Sequence, residues 1–221
     1  DLGCGPGWHL DHLPDGTILL SVNPTQAKPD SYSGPAQPQI LQYDAERPDK
    51  PFRTMLPVCD GQPAFTEHYY RSFAVDGPRR ETILFQNIDY THAEWAFWDR
   101  DGKWSQCGRL AWPWGADYAK PQPIRICYPS VQLRERAVYF CGVSDIVEPY
   151  KTWREFKRKL TGQEWDYAFR RLFYTWTSDI TRKPFVEWTE IASCDKTGGG
   201  IYPGDLYVAN DGDAHVVWNE Q

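Results

Sequence analysis

No stretch of this chain approaches the roughly 18 consecutive apolar residues of a membrane-spanning helix; its apolar runs are strand-length. It has no long basic run either, and its net charge of −6 argues against non-specific nucleic-acid binding. Neither a membrane nor a nucleic acid is therefore expected as a partner. The six cysteines (4, 59, 107, 127, 141 and 194) form no Cys-x-x-Cys pair and show no His–Cys ligand spacing, so no zinc site is expected. Their even count permits disulfides without demanding any, and Cys127 and Cys141 read as small buried hydrophobes within strands. The glycine-rich Lys196-Thr-Gly-Gly-Gly200 lacks the Gly-Lys-[Ser/Thr] ending of a phosphate loop. Asn210-Asp-Gly-Asp213 lacks the alternating acidic residues and distant Glu of a calcium loop, and reads as a tight hairpin turn. Nothing here calls for a cofactor or a metal. The chain opens at Asp1 with neither a methionine nor an apolar leader, which reads as a processed form or a fragment.

Aromatic residues, by contrast, are abundant: they make up 15% of the chain and include 11 Trp. Such a load suits strand-rich packing, and it also suits carbohydrate contact, in which a flat ring stacks on the apolar face of a sugar. The aromatics are ordered by a repeat. Four segments, 8–22, 69–87, 127–142 and 201–219, each pair a first strand with a second apolar strand across a turn. The second strands align as 18–22, 83–87, 138–142 and 215–219, and an aromatic third strand follows three of them at 40–43, 95–98 and 172–176. A repeat of this size made only of antiparallel strands predicts an all-β fold, a partial or open β-propeller of about three and a half to four blades. The blades are expected at about 7–57, 65–113, 124–192 and 196–221 of a single 1–221 domain, with any remaining blades of the ring as a partner if the chain is a fragment. Asp101-Gly102 signals a two-residue turn between Trp98 and Trp104.

One segment breaks the β pattern, residues 150–171. It carries two capping boxes, Thr152-x-x-Glu155 and Thr161-x-x-Glu164, and an apolar face of Trp153, Phe156 and Leu160 followed by one of Trp165 and Phe169. These predict two short helices broken at Gly162, inserted between strands.

A propeller's inner strands converge on its axis, and the chemistry-bearing residues of this chain collect where those strands begin. Glu67-His-Tyr-Tyr-Arg71 opens the second inner strand, and Asp89-Tyr-Thr-His92 follows its partner. Ile124-Arg-Ile-Cys-Tyr-Pro129 opens the third, and Ile201-Tyr-Pro203 opens the fourth. Convergence would bring His68, His92, Arg125, Tyr128 and Tyr202 together.

His68 followed by Ala74-Val75-Asp76, His92 in the next loop, and Tyr128-Pro129 opening the following blade together resemble the BNR-repeat β-propeller family, which includes the propeller-type, ulvan-type polysaccharide lyases. The resemblance implies β-elimination on a uronic-acid polysaccharide and export to a secreted or periplasmic location. It implies that His68 and His92 act as base or as carboxylate contacts, and that Tyr128 acts as acid, base or both. The family's arginine would fall within Tyr139-Phe-Cys-Gly-Val-Ser144, which holds no cation, so Arg125 or Arg71 must substitute. Arg71, Tyr202, Tyr69 and Trp95 are the candidates for substrate contact. Two further readings stand beside the lyase. A propeller glycoside hydrolase needs two carboxylates about 5–5.5 Å or about 6.5–9.5 Å apart, with Asp11, Glu67, Asp89, Glu94, Asp145 and Asp205 as candidates. A non-catalytic carbohydrate-binding or structural propeller would use Trp95, Trp98, Trp112 and Trp114.

Overall fold

The computed structural model describes residues 9–22, 38–65, 70–88, 90–163 and 167–221. Three four-stranded antiparallel meanders and a longer two-stranded sheet follow one another along the chain, with three further short two-stranded pairings among the described residues. The first contains β1 (His9–His12), β2 (Thr17–Val22), β3 (Gln39–Asp44) and β4 (Arg53–Met55). The second contains β5 (Arg71–Asp76), β6 (Glu81–Ile88), β7 (His92–Trp98) and β8 (Trp104–Ala111). The third contains β9 (Ile126–Arg134), β10 (Ala137–Ser144), β11 (Arg171–Thr177) and β12 (Thr189–Ser193). The last pairs β13 (Ile201–Val208) with β14 (Ala214–Glu220).

The sheets are arranged radially. The first strand of each lies beside the first strand of the next: β5 packs on β1 and on β9, and β9 packs on β13. These are the blades of a partial β-propeller with its inner strands at the hub. Side-chain alternation explains why the sequence does this. In the second blade Ile83, Phe85, Trp95 and Phe97 point one way and pack with Val131, Val138, Phe140 and Phe173 of the third. Phe73, Leu84 and Ala96 point the other way and pack with Leu19, Ile40 and Met55 of the first. Cys127, Cys141, Val143 and Leu172 of the third blade join Ile201 and Leu206 of the fourth. Each sheet therefore needs a neighbour on both faces, and every residue of β6 is buried. The turns follow the local signals. Gly102 takes φ +78° where Asp99 and Lys103 close the hairpin under the Trp98–Trp104 ring pair, and Gly212 takes φ +95° in the last hairpin.

One expectation is corrected. The insertion holds one helix, α1 (Lys151–Thr161), not two. Tyr150 occupies its N-cap without a side-chain cap bond, so Thr152 lies inside the helix rather than capping it. The helix stops at Gly162, which adopts the left-handed conformation that glycine takes without steric cost. Beyond it, Tyr167–Ala168 pairs antiparallel with Ile146–Val147, because the chain is already extended as it enters β11. Glu164 and Trp165 lie outside the described residues. Of the expected apolar face only Trp153 is covered, while Phe156 and Leu160 stay exposed.

The even cysteine count leaves disulfides open, and the structure forms one among the described residues. Cys59 and Cys107 form a disulfide that ties the short hairpin Val58–Cys59/Gln62–Pro63 to the outer strand β8. Spacing could not reveal it, since the partners are 48 residues apart and meet only through the tertiary fold. Closing a loop of that size restricts the unfolded chain. Cys107→Ser is therefore expected to lower stability by about 2–4 kcal/mol, read from denaturant midpoints with and without reductant.

Candidate functional site

The start of β5, the end of β6, the start of β9 and the end of β10 share one end of the propeller. Backbone bonds fix the arrangement: Asn87 N–H donates to Tyr70 O at 2.8 Å, and Asp145 N–H donates to Arg125 O at 2.7 Å. Between the blades, the Asn87 side-chain amide donates to Ile126 O at 2.5 Å.

Tyr128 is an exposed phenol at this mouth, and a β-bulge sets its direction. The β9–β10 pairing steps from Cys127↔Val143 to Ser130↔Cys141, leaving Tyr128 and Pro129 opposite Gly142. Pro129 has no N–H to give to the ladder, so the bulge is the place in an inner strand that tolerates it. Tyr128 takes φ +47°, an unusual and costly value for a residue with a side chain, and remains 46% exposed. Its ring lies edge-on to Tyr70 at 5.0 Å and 5.9 Å from Phe169. Burial first, then its hydrogen bond to Tyr128, raise the Tyr70 phenol above its ordinary value. The bulge depends on a glycine across the ladder. A Cβ at Gly142 would collide with Ile126 Cγ2 and lie 3.0 Å from the Cys127 carbonyl oxygen. Gly142→Ala is expected to cost about 1–3 kcal/mol, measured by thermal unfolding, and to displace Tyr128.

Arg125 sits below Tyr128 as a buried, matched cation. Its Nη2 lies 2.5 Å from Asp145 Oδ2, and its Nε donates to Asp145 O at 3.3 Å. The Tyr90 ring covers the guanidinium at 4.2 Å and the Tyr167 ring at 5.4 Å, and the two hydroxyls meet at 2.5 Å. Burial pushes the Tyr90 phenol up to about 12. Burial opposes the Arg125 charge, but Asp145 outweighs it and the group stays above its ordinary value. Burial likewise raises the Asp145 carboxyl, against the pull of Arg125. With its charge matched, Arg125 holds the two tyrosines in place instead of standing as a bare cation.

The other candidates are dispersed. His68 and Tyr69 lie outside the described residues, as do Glu67 and Asp89. His92 opens β7, with Nδ1 2.7 Å from Thr91 Oγ1 and Nε2 3.8 Å from Glu94 Oε1. Because Ala93, Trp95 and Phe97 face the third blade, alternation turns His92 and Glu94 toward the first, away from the Tyr128 side. Arg71 is buried between the first and second blades, where its Nε donates to Ser21 Oγ at 3.1 Å. Tyr202 is exposed at the start of β13, next to a second bulge at Pro203–Asp205. Trp95 is buried on β7, away from the inner strands. Of the described carboxylates, Asp145 is matched by Arg125 and Glu94 faces Arg109 at 3.6 Å, while Asp11 and Asp205 lie on separate blades. Among the described residues no group of three or more His, Cys, Asp or Glu is placed to hold a metal ion.

The site therefore includes residues that the sequence reading passed over. Tyr70 and Tyr90 lie inside the two motifs that mark His68, Tyr69, Arg71 and His92, and neither is itself among the expected site residues. Tyr167 was hidden in the expected second helix. Arg171, at the start of β11, organises a further polar network: its Nε donates to Asp195 at 2.6 Å, its two Nη groups to Asp117 at 3.1 and 2.5 Å, and Tyr118 lies under it at 4.4 Å.

No family model matches this chain, and no curated protein matches it. Among solved structures, a GH43 β-1,3-galactosidase is similar with a TM-score of 0.49 and 11% identity, covering 96% of this chain. This chain spans 41% of that enzyme's chain, and a likeness this distant carries no activity across.

Proposed function

We propose that this chain is a carbohydrate-active propeller that cleaves a uronic-acid-containing polysaccharide by β-elimination, as a polysaccharide lyase. One observation carries the reading: Tyr128 is held at positive φ by a bulge and presented at the mouth of the inner strands, its ring edge-on to Tyr70 at 5.0 Å. A phenol so placed serves proton transfer. In the reaction the C5 proton of the uronate is removed and the C4–O bond breaks. The electron pair forms the C4=C5 double bond, and the departing glycosidic oxygen takes up a proton. Tyr128 is assigned the proton delivered to that oxygen. His68, from the family resemblance, is assigned the base that takes the C5 proton; His92, turned toward the first blade, is given no part in the step. Arg125 positions the tyrosines, since Asp145 already balances its charge. A hydrolase would need two carboxylates facing one another, and Asp145, just past the end of the strand paired with β9, is tied to Arg125. The Cys59–Cys107 disulfide supports the assignment to an oxidising, exported location. The test is incubation with alginate, polygalacturonate and a glucuronate-containing glycan. Ultraviolet absorbance should grow as unsaturated uronic ends form; release of reducing ends without that absorbance would exclude elimination.

A further inference from the structure

Away from the mouth, a cavity of about 570 Å³ opens between the outer part of the second blade and the third. Its size is that of a small-molecule or oligosaccharide site. Two bonds across the boundary hold its walls: Trp188 Nε1 donates to Ala111 O at 2.8 Å, and the Gln106 amide donates to Thr181 O at 3.1 Å. None of the residues assigned to elimination lines it.

Its lining is indole-rich. Trp95 and Trp112 form buried parts of the wall, Trp188 stands 6.3 Å from Trp112, and Trp114 projects at the rim with 62% of its surface exposed. The Nε1–H donors of Trp95 and Trp112 are buried and have no hydrogen-bond partner, although each residue is more than nine-tenths buried. Those two rings are sealed into the wall, so the indole surface an occupant can reach is that of Trp114 and the half-buried Trp188. The rim carries both signs of charge, with Arg109 and Lys183 against Glu187 and Glu190.

We infer that this inter-blade cleft is a second glycan-binding site, one that takes a neutral oligosaccharide rather than a uronate. Pyranose rings supply an apolar face for the indoles. Their hydroxyls both accept and donate, so they pair with the rim cations Arg109 and Lys183 and with the rim carboxylates Glu187 and Glu190 together. The balanced rim offers no excess cation to select a polyuronate. A proline-rich peptide also stacks on indoles, but proline has no N–H to give Glu187 and Glu190. The inference rests on the carbohydrate reading only for its class of ligand; its residues and its test are separate.

The experiment titrates the protein with neutral β-linked hexasaccharides of gluco, xylo and galacto configuration, and with polyproline, following intrinsic tryptophan fluorescence. Trp114 is exposed, so Trp114→Ala leaves the packing in place. At least one hexasaccharide should bind, and Trp114→Ala should weaken it by about tenfold while Tyr128→Phe binds as the unaltered protein does. Binding unchanged by Trp114→Ala, binding lost with Tyr128→Phe, binding of polyproline alone, or no binding at all would each overturn the cleft assignment. The elimination assay on uronic polymers is read independently, so failure here leaves that reading intact, and the reverse also holds.

Discussion

Tyr128→Phe lowers polysaccharide cleavage by about 10²–10⁴-fold, the range that one proton-transferring group contributes. The substitution removes a single oxygen and keeps the ring. The packing against Tyr70 and Phe169 therefore survives, as does the bulge, which depends on Pro129 and Gly142. Circular dichroism and the melting temperature should match those of the unaltered protein, and substrate affinity should change little while turnover collapses. Tyr70→Phe provides the contrast. It removes the hydroxyl of the ring packed beside Tyr128 and leaves the phenol assigned to the proton transfer. Its effect should be smaller and should appear as a shifted pH–rate profile. Full activity in Tyr128→Phe would transfer the proton work to another residue and remove the site assignment.

Arg170→Met destabilises the protein by about 3–5 kcal/mol, the largest loss of stability expected from a single substitution here. Arg170 and Glu148 are both buried, with Arg170 Nη1 donating to Glu148 Oε1 at 3.0 Å and a second, closer contact beside it. Removing the guanidinium strands a carboxylate in the interior. The pair anchors the insertion where it leaves and rejoins the third blade. Ser144 Oγ accepts the backbone N–H groups of Arg170 and Arg171 at 3.0 and 3.1 Å, and the guanidinium lies 5.5 Å from the Trp153 ring of α1. For a chain of this size the loss corresponds to a melting temperature lower by about 6–20 °C. The double substitution Arg170→Met with Glu148→Met should recover most of it, because two apolar side chains leave no buried charge. A single-variant loss below about 1 kcal/mol would mean that the pair is effectively solvated.

The blade strands were readable in the sequence because a sheet with neighbours on both faces must be apolar along its length. The segments 83–87, 138–142 and 172–176 each fall inside an observed strand, β6, β10 and β11. Hairpins such as that at Gly102 were readable because a positive φ favours glycine. The second half of the insertion was misread because Trp165 and Phe169 fit a helical spacing, whereas the pairing of Tyr167–Ala168 with Ile146–Val147 is non-local. The Cys59–Cys107 bond was invisible for the same reason. At the site, Tyr128 was found through its Tyr-Pro motif, but the mechanical meaning of that motif was missed. A proline inside an inner strand requires a bulge, and both Tyr-Pro pairs sit at register shifts, near Tyr128 and near Pro203. Arg125 was chosen as a free cation because the sequence does not reveal that Asp145, 20 positions later, folds back against it.

Cleavage in water enriched with heavy oxygen, followed by mass spectrometry of the fragments, tests the mechanism most directly. Elimination forms the new ends without taking in solvent oxygen, so fragments read before anomeric exchange should carry no label; the unsaturated end should be one water lighter than its hydrolysed counterpart, and the new reducing end the same mass. Heavy oxygen incorporated at one new end per cleavage would show that water attacked the glycosidic bond, and would contradict the assignment of Tyr128 to β-elimination.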